Sequence, residues 1–358
     1  MLTRRTLLKS ALAATVLPLT GCAEEDYRRA AEATWNPVAP VTGADAPRAL
    51  VHIATLAANS HNAQAWRFRI AGPQLIVAQV DPGRRLLAAD PDDHHLWASL
   101  GCAIENLCVA APAFGLSAEV EFGDDTTRVR LSPAPSARDA LFDAIFQRQC
   151  TRSDYDGRAL PAVTLRSLEA AATRPGVMPV MLLDGVRREQ LLSYLTEANR
   201  SQVNNPLFVN ELLAWLRFDG AEAARTRDGL YSACSGNPSL PRWLAQPVFR
   251  HSFTAEREND KLARQLRSSS GAIVLASQAD RPAVWFEAGR AAQRFGLSAT
   301  AAGLRYAYIN QPVEVQAVRG QLASWLELGA RRPSLVMRFG AAAPLPRSLR
   351  RPLAEVLV

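Results

Sequence analysis

The chain contains one internal repeat. Trp97-Ala-Ser-Leu-Gly101-Cys-Ala103 returns 188 residues later as Trp285-Phe-Glu-Ala-Gly289-Arg-Ala291, and the same offset carries Gly115-Leu116 onto Gly303-Leu304 without a gap. Each copy lies on a segment of helical period. Leu96, Leu100, Ile104, Leu107 and Ala111 share one face of the first, and Trp285, Ala288, Ala292, Phe295 and Ala299 one face of the second. A duplicated unit restricts the fold to two like halves. Gly101 and Gly289 fall mid-helix, where glycine costs ~1 kcal/mol against alanine, so either a crossing helix or a flat ligand must approach the backbone there. Asp90-Pro91-Asp92-Asp93 supplies a cap and acids for the first helix, which puts His94 and His95 in its first turn; with no further ligand cluster nearby, no metal site is expected.

Short apolar runs predict strands at 65–70, 74–80, 118–122, 128–131, 177–183, 272–276 and 335–339. Helices and strands mix without strict alternation, so the class is α+β rather than a doubly wound sheet. The chain has no G-x-G-x-x-G and no G-x-x-x-x-G-K, which removes the two commonest nucleotide loops.

The first residues concern address. Thr3-Arg-Arg-Thr-Leu-Leu-Lys9, a short apolar run and Leu19-Thr-Gly-Cys22 read as a twin-arginine signal over 1–21 with a lipobox, Cys22 being the acylated residue. This predicts export and anchoring to the outer side of the cytoplasmic membrane. Residues 22–47, rich in Ala, Pro and Thr, read as a tether. Without the signal, 38 basic residues remain against 34 acidic ones, a balance that carries no nucleic-acid signature. Cys102, Cys108, Cys150 and Cys234 form no C-x-x-C; a disulfide among them is open but unassigned.

Two stretches concentrate polar groups. Thr55-Leu-Ala-Ala-Asn-Ser-His-Asn-Ala-Gln-Ala-Trp-Arg-Phe68 runs straight into a strand and suits a pocket for a small anion. Arg148-Gln-Cys-Thr-Arg152-Ser-Asp-Tyr155 offers two forked guanidiniums with hydroxyls between them, and an exposed basic helix end would look the same. Arg338-Phe-Gly340 and Arg350-Arg-Pro352 follow near the end.

Together these features resemble the nitroreductase superfamily of flavin mononucleotide (FMN) proteins, and more closely its tandem-repeat, Acg-type branch, in which one chain mimics the usual dimer. The resemblance covers nearly the whole mature chain. It implies a nitroreductase-like fold with a first half at 48–135, a second at 136–358, and a monomeric pseudo-dimer. It implies FMN as cofactor, with Arg148, Thr151, Arg152, Arg350 and Arg351 toward the phosphate side, Ser60, Asn62 and Gln64 at polar edges, and Asn310 and Gln311 near the ring. His61 is left between a donor to the flavin and a structural hydrogen bond. Cys150 and Thr151 depart from the commoner pattern, and the first half lacks a closing Phe-Gly…Arg-Arg-Pro segment, so one flavin site is expected. The second half carries about 97 extra residues by the repeat's own spacing, an insertion at about 190–265 that reads as a lid over the flavin or an arm around the core.

Two functions follow as expectations. The first is a flavin-dependent reductase of flat acceptors such as nitro compounds or quinones, with no catalytic side chain required. The second is a flavin-sequestering protein with little reductase activity. Nicotinamide nucleotides are not expected outside the cytoplasmic membrane, which leaves the electron donor unknown, a quinol or a redox protein being possible.

Overall fold

The computed structural model describes residues 24–124 and 126–358; the twin-arginine stretch and Cys22 lie outside the described residues. The repeat is visible in the topology. Strands β1 (Trp66–Ile70), β2 (Leu75–Val80), β3 (Leu116–Phe122) and β4 (Thr127–Pro133) form an antiparallel sheet in the order β1-β2-β4-β3. In the second half β5 (Val177–Leu182), β8 (Gly271–Ser277), β9 (Arg305–Tyr308) and β10 (Arg332–Gly340) form another in the order β5-β8-β10-β9. Strand for strand the two orders coincide. Helix α3 (His94–Ala110) links β2 to β3, and α11 (Pro282–Ala301) links β8 to β9. The fold is α+β in two tandem halves.

The two long helices cross at the glycines. A Cβ on Gly101 would lie 2.0 Å from the Phe286 carbonyl oxygen, and one on Gly289 1.9 Å from that of Ala98. The crossing helix is therefore what occupies the space the missing side chains leave. Helix α3 is long and apolar enough to cross a membrane, yet most of it is buried at this interface. Its start is held by Asp90, whose carboxylate accepts the amides of His95 (3.0 Å) and Leu96 (2.9 Å).

The sheets differ in what covers them. Strands β3 and β4 alternate between more buried and more exposed positions, as one-sided strands do, whereas every residue of β8 and β10 is buried. One face of the second sheet, through Ile273, Leu275, Leu335 and Met337, packs on α11. The other, through Ala272, Val274, Ala276 and Val336, packs on Leu191, Leu192, Leu195, Leu262 and Leu266. These leucines belong to α6 (Gly185–Val203) and α10 (Ala255–Arg267), the two helices that begin and end the insertion. Residues 183–270 separate β5 from β8, where 71–74 suffice between β1 and β2. Between α6 and α10 stand α7 (Pro206–Trp215), α8 (Gly220–Thr226), α9 (Arg242–Ser252) and the two-stranded pair β6 (Leu216–Arg217) and β7 (Leu230–Tyr231).

Within the stretch read as a tether, residues 24–35 form a helix, α1, rather than an extended linker. Tyr27 and Trp35 on it are buried, and they donate to the carbonyls of Arg347 (2.6 Å) and Ser348 (2.9 Å). The Arg28–Glu25 and Arg29–Asp26 pairs on its outer face are the helical spacing that the Ala- and Thr-rich composition concealed.

Candidate functional site

The segment Ser60–Gln64 is wound against ordinary backbone preference. His61, Asn62 and Gln64 all have positive φ, at 47°, 52° and 52°. Each such residue costs on the order of 1 kcal/mol and persists only where its surroundings over-determine it. Asn62 Nδ2 donates to the carbonyls of Gly229 and Leu349, both 3.1 Å away, while its Oδ1 accepts from Arg350 Nη1 at 3.0 Å. Gln64 Nε2 donates to Arg227 O at 2.9 Å, and its Oε1 accepts the Arg351 amide at 2.8 Å. The two amides thus stitch the first half to the insertion and to the C-terminal segment.

This winding leaves Asn59, Ser60 and His61 lining a cavity of about 280 Å³. Helix α3 contributes His95, Ala98, Ser99 and Cys102; the segment after β9 contributes Asn310, Gln311 and Glu314; the insertion closes it with Phe208, Leu212 and Tyr231 among others. Three buried atoms of its lining residues lack a hydrogen-bond partner, His61 Nδ1, His95 Nε2 and Gln311 Oε1. Asn310 Oδ1 accepts the Val336 amide at 2.8 Å, which fixes its chain turn.

A smaller cavity of about 60 Å³ adjoins it, and the two share Ala58, Asn59, Arg152, Leu230 and Tyr231. Arg148, Arg347 and Arg350 line only the smaller one, together with Asn62, Trp35 and Ser348, and no carboxylate lines it. The guanidiniums of Arg347, Arg350 and Arg148 gather over the Trp35 ring, at 4.2, 5.1 and 5.9 Å from its centroid. Arg350 is clamped by the carbonyls of Thr55 (2.7 Å), Leu56 (3.2 Å) and Ala57 (3.0 Å), and Arg148 by that of Leu56 (2.8 Å) and by Tyr306 Oη (3.1 Å). Arg148 Nε is buried without a partner. Burial, then the charge of Arg148, lowers Arg350 to about 9 and Arg347 to about 10. Crowded cations in a cavity without a carboxylate make a site whose complement is an anion. Arg338, fully buried, donates to Ser153 O at 2.8 Å and lies 4.1 Å from the Tyr155 ring, so it secures the loop that carries Arg152.

The expected residues thus divide. Ser60, His61, Asn310 and Gln311 line the large cavity, Asn62, Arg148 and Arg350 the small one, and Arg152 both. Three do not line either. Gln64 shapes the loop behind the cavity, Thr151 is fully buried with its hydroxyl on Gln149 Oε1 (3.0 Å), and the Arg351 guanidinium turns to Glu355 at 3.2 Å. Trp35 and Arg347 take part instead. Neither has a motif around it, and only the fold of α1 against the C-terminal segment brings them in.

His95 and Glu314 were also not apparent from spacing. His95 Nε2 lies 3.4 Å from Glu314 Oε1, and Glu314 Oε2 accepts from Gln202 of the insertion at 2.6 Å. Burial works to raise the Glu314 pKa, but the nearby His95 ring and the bond from Gln202 outweigh it and hold the carboxyl below its usual range. Ligand-type atoms of Asp90, His94 and His95 lie within 4.8 Å of one another. They are engaged in a protein network, with Asp90 capping α3 and His94 Nδ1 2.8 Å from Asp92. Cys102, Cys108, Cys150 and Cys234 are free thiols.

Burial lowers the His61 pKa to about 4, with Arg152 and His95 adding to the effect and Glu314 and Asp90 opposing it. The unfolded chain takes up a proton near pH 6.5 that the folded one refuses until about 4. Stability is then lost as pH falls through that window, by about 2 kcal/mol after allowing for the ring's partial exposure. Thermal unfolding of the flavin-free protein should show this slope between pH 6.5 and 4, and His61→Asn, which tolerates the same backbone, should flatten it; an unchanged slope would refute the assignment.

No protein-family model matches the chain. A protein of Mycobacterium tuberculosis H37Rv named for NAD(P)H nitroreductase activity is 27% identical over 333 residues, covering 88% of this chain and 91% of that one. A second from that strain, named Acg, is 25% identical over 326 residues, covering 87% and 95%. Among solved structures, the FMN-dependent nitroreductase NfnB of Mycobacterium smegmatis, in complex with NADPH, is 15% identical over 60% of this chain and 96% of its own, with a TM-score of 0.42. A nitroreductase of Bacteroides fragilis with bound FMN is 16% identical over 57% and 90%, with a TM-score of 0.35. Matched along nearly the full length of the two mycobacterial proteins, the chain is similar to the nitroreductase superfamily and, within it, to the Acg-type branch.

Proposed function

We propose that the protein is an FMN-binding oxidoreductase that reduces flat acceptors such as nitro compounds or quinones. The observation that carries this reading is the pairing of the two cavities. Arg148, Arg152, Arg347 and Arg350 suit a phosphate, and the orphaned Arg148 Nε is a donor in wait for one. The larger cavity, where the insertion supplies Phe208, Leu212 and Phe253 beside polar Asn199, Gln202 and Ser232, and which is furnished with Ser60, Asn310 and the free Gln311 Oε1, suits a planar heterocycle with donors and acceptors on its edge. The chemistry such a group would supply here is hydride acceptance and one- or two-electron transfer to an acceptor. The residues here grip, orient and exclude water. Glu314, held ionised by His95 and Gln202, fixes a negative charge in the large cavity, so the anionic end is directed to the small one. Solved relatives bound to FMN and to NADPH support this class of cofactor and donor by family, although an exported protein would draw on a membrane quinol or a redox protein.

Titrating flavin-free protein with FMN tests the reading. Arg152→Ala removes one charge-assisted contact, about 2–3 kcal/mol, and should weaken binding roughly a hundredfold without lowering the flavin-free melting temperature. Equal affinity, or protein that stays colourless in excess FMN, would refute it.

The alternative reading, sequestration under a lid, is favoured by how firmly the insertion is fastened. Glu211 accepts the amides of Ala88 and Ala89, both at 2.9 Å; Arg84 pairs with Asp228; Gln202 holds Glu314. Replacing residues 205–254 by a short glycine linker separates the two readings in stopped-flow reduction. A reductase keeps or loses its rate, whereas a storage protein begins to react. We place the protein on the outer face of the membrane, anchored through lipid on Cys22 and folded as a monomer whose halves stand in for a dimer.

A further inference from the structure

The insertion carries a surface that none of these roles uses. On α9, Trp243, Leu244 and Val248 are 65%, 40% and 52% exposed. At the 100° step of a helix they fall, with exposed Pro247, on one arc of about 140°, with His251 inside it and Arg250 about 20° beyond its edge. The other side of the helix is fully committed: Ala245 and Phe249 pack against Leu213 and Phe218. The helix contains no acidic residue. Exposed tryptophan and aliphatic side chains flanked by cations on a helix lying flat are the composition of an interfacial membrane helix.

A second observation bears on the occupant of this face. Tyr231 Oη lies 3.1 Å from Glu24 Oε2 and 3.1 Å from Ser239 Oγ. Ser239 precedes α9 by three residues, and Glu24 follows Cys22 by two. The chain that leads to the proposed lipid thus leaves the folded body beside this helix.

We propose that α9 docks on an anionic lipid bilayer, Trp243, Leu244, Pro247 and Val248 entering the interfacial layer and Arg250 and His251 facing the headgroups. This rests on the export reading for its setting. Phe253, which ends α9, lines the large cavity, so the docked helix and the cavity wall are one element.

The test uses the mature chain with Cys22→Ser, so that no acyl group contributes. Sedimentation with phosphatidylglycerol–phosphatidylcholine vesicles should carry the protein down, pure phosphatidylcholine should carry less, and Trp243→Ser with Val248→Ser should reduce partitioning about tenfold or more at unchanged melting temperature and flavin content. Quenching by brominated lipid should disappear in Trp243→Phe. Parent and double variant sedimenting alike, or neither sedimenting, overturns the proposal, as does a dimer in the absence of vesicles that the double variant dissolves. Cys22 acylation is read separately by mass spectrometry of the membrane-derived protein; an unacylated Cys22 with vesicle binding intact removes the anchor and supports the docking helix.

Discussion

Gly289→Ala is expected to destabilise the protein by about 3 kcal/mol or more, although alanine is the better helix former. The propensity gain is ~1 kcal/mol. Against it stands a methyl group 1.9 Å from the Ala98 carbonyl oxygen and 2.6 Å from its carbon, a backbone contact with no rotamer to yield. The two helices would have to part along the whole crossing that holds the halves together, and overpacking on rigid backbone outweighs propensity. Gly320→Ala is the control. It lies in a helix, Gln316–Trp325, where a Cβ would meet nothing within 4 Å, so there the propensity term alone should act and raise stability by up to ~1 kcal/mol. Urea denaturation of both variants reads the difference; a Gly289→Ala protein as stable as its parent would mean the crossing is looser than described.

The second large effect is expected at Glu105. Its side chain is fully buried, 2.9 Å from Arg290 Nε and 3.6 Å from Arg174 Nη1, and it also pairs with Arg294. Glu105→Ala leaves Arg290 and Arg174, both mostly buried, sharing the single carboxylate of Glu287. Losing one partner of a buried pair costs about 3–5 kcal/mol, with the lower end apt here because Arg294 can turn to solvent. The cluster's position explains why one flavin site is proposed. The repeat offset pairs the cavity residues Ala98, Ser99 and Cys102 with Phe286, Glu287 and Arg290. Phe286 is fully buried against Phe122, ring centroids 5.1 Å apart, and Glu287 and Arg290 join the ion cluster. Where one half keeps a cavity, the other is packed. Glu105→Ala should therefore lower stability while the number of flavins bound per chain stays at that of the parent; a rise in flavin stoichiometry, or no loss of stability, would count against this account.

Much of the fold was legible because it rests on period. The long helices, seven of the eight strands in the two main sheets and the site of the insertion follow from apolar spacing and the repeat. The missed strand, β9, is the four residues Arg305–Tyr308, too short and too polar-aromatic for alternation to register. The site was less legible, for a physical reason. Arg148, Arg152 and Arg350 announce themselves as forked donors, but Arg351 beside them does not share their role, because adjacent residues in an extended segment point apart. Trp35, Arg347, His95 and Glu314 come from four separate elements, and no local pattern encodes a meeting of that kind. The amides of Asn62 and Gln64 could be seen to matter; that Gln64 shapes the chain behind the cavity depends on Arg227 and Arg351 being brought to it.

The insertion leaves the second sheet at Leu182 and returns at Gly271, one residue before Ala272, the ladder partner of Leu182 on the adjacent strand. Its first and last helices roof the sheet as a stalk, tied near the far end by Asn199 to Asn259 at 2.8 Å, and everything that touches the cavity's upper side hangs beyond that tie or just below it. Stalk and head therefore face different selection. Descendants of this gene can trade one cap for another, changing what enters and how long it stays, while the open sheet beneath inherits nothing of the change.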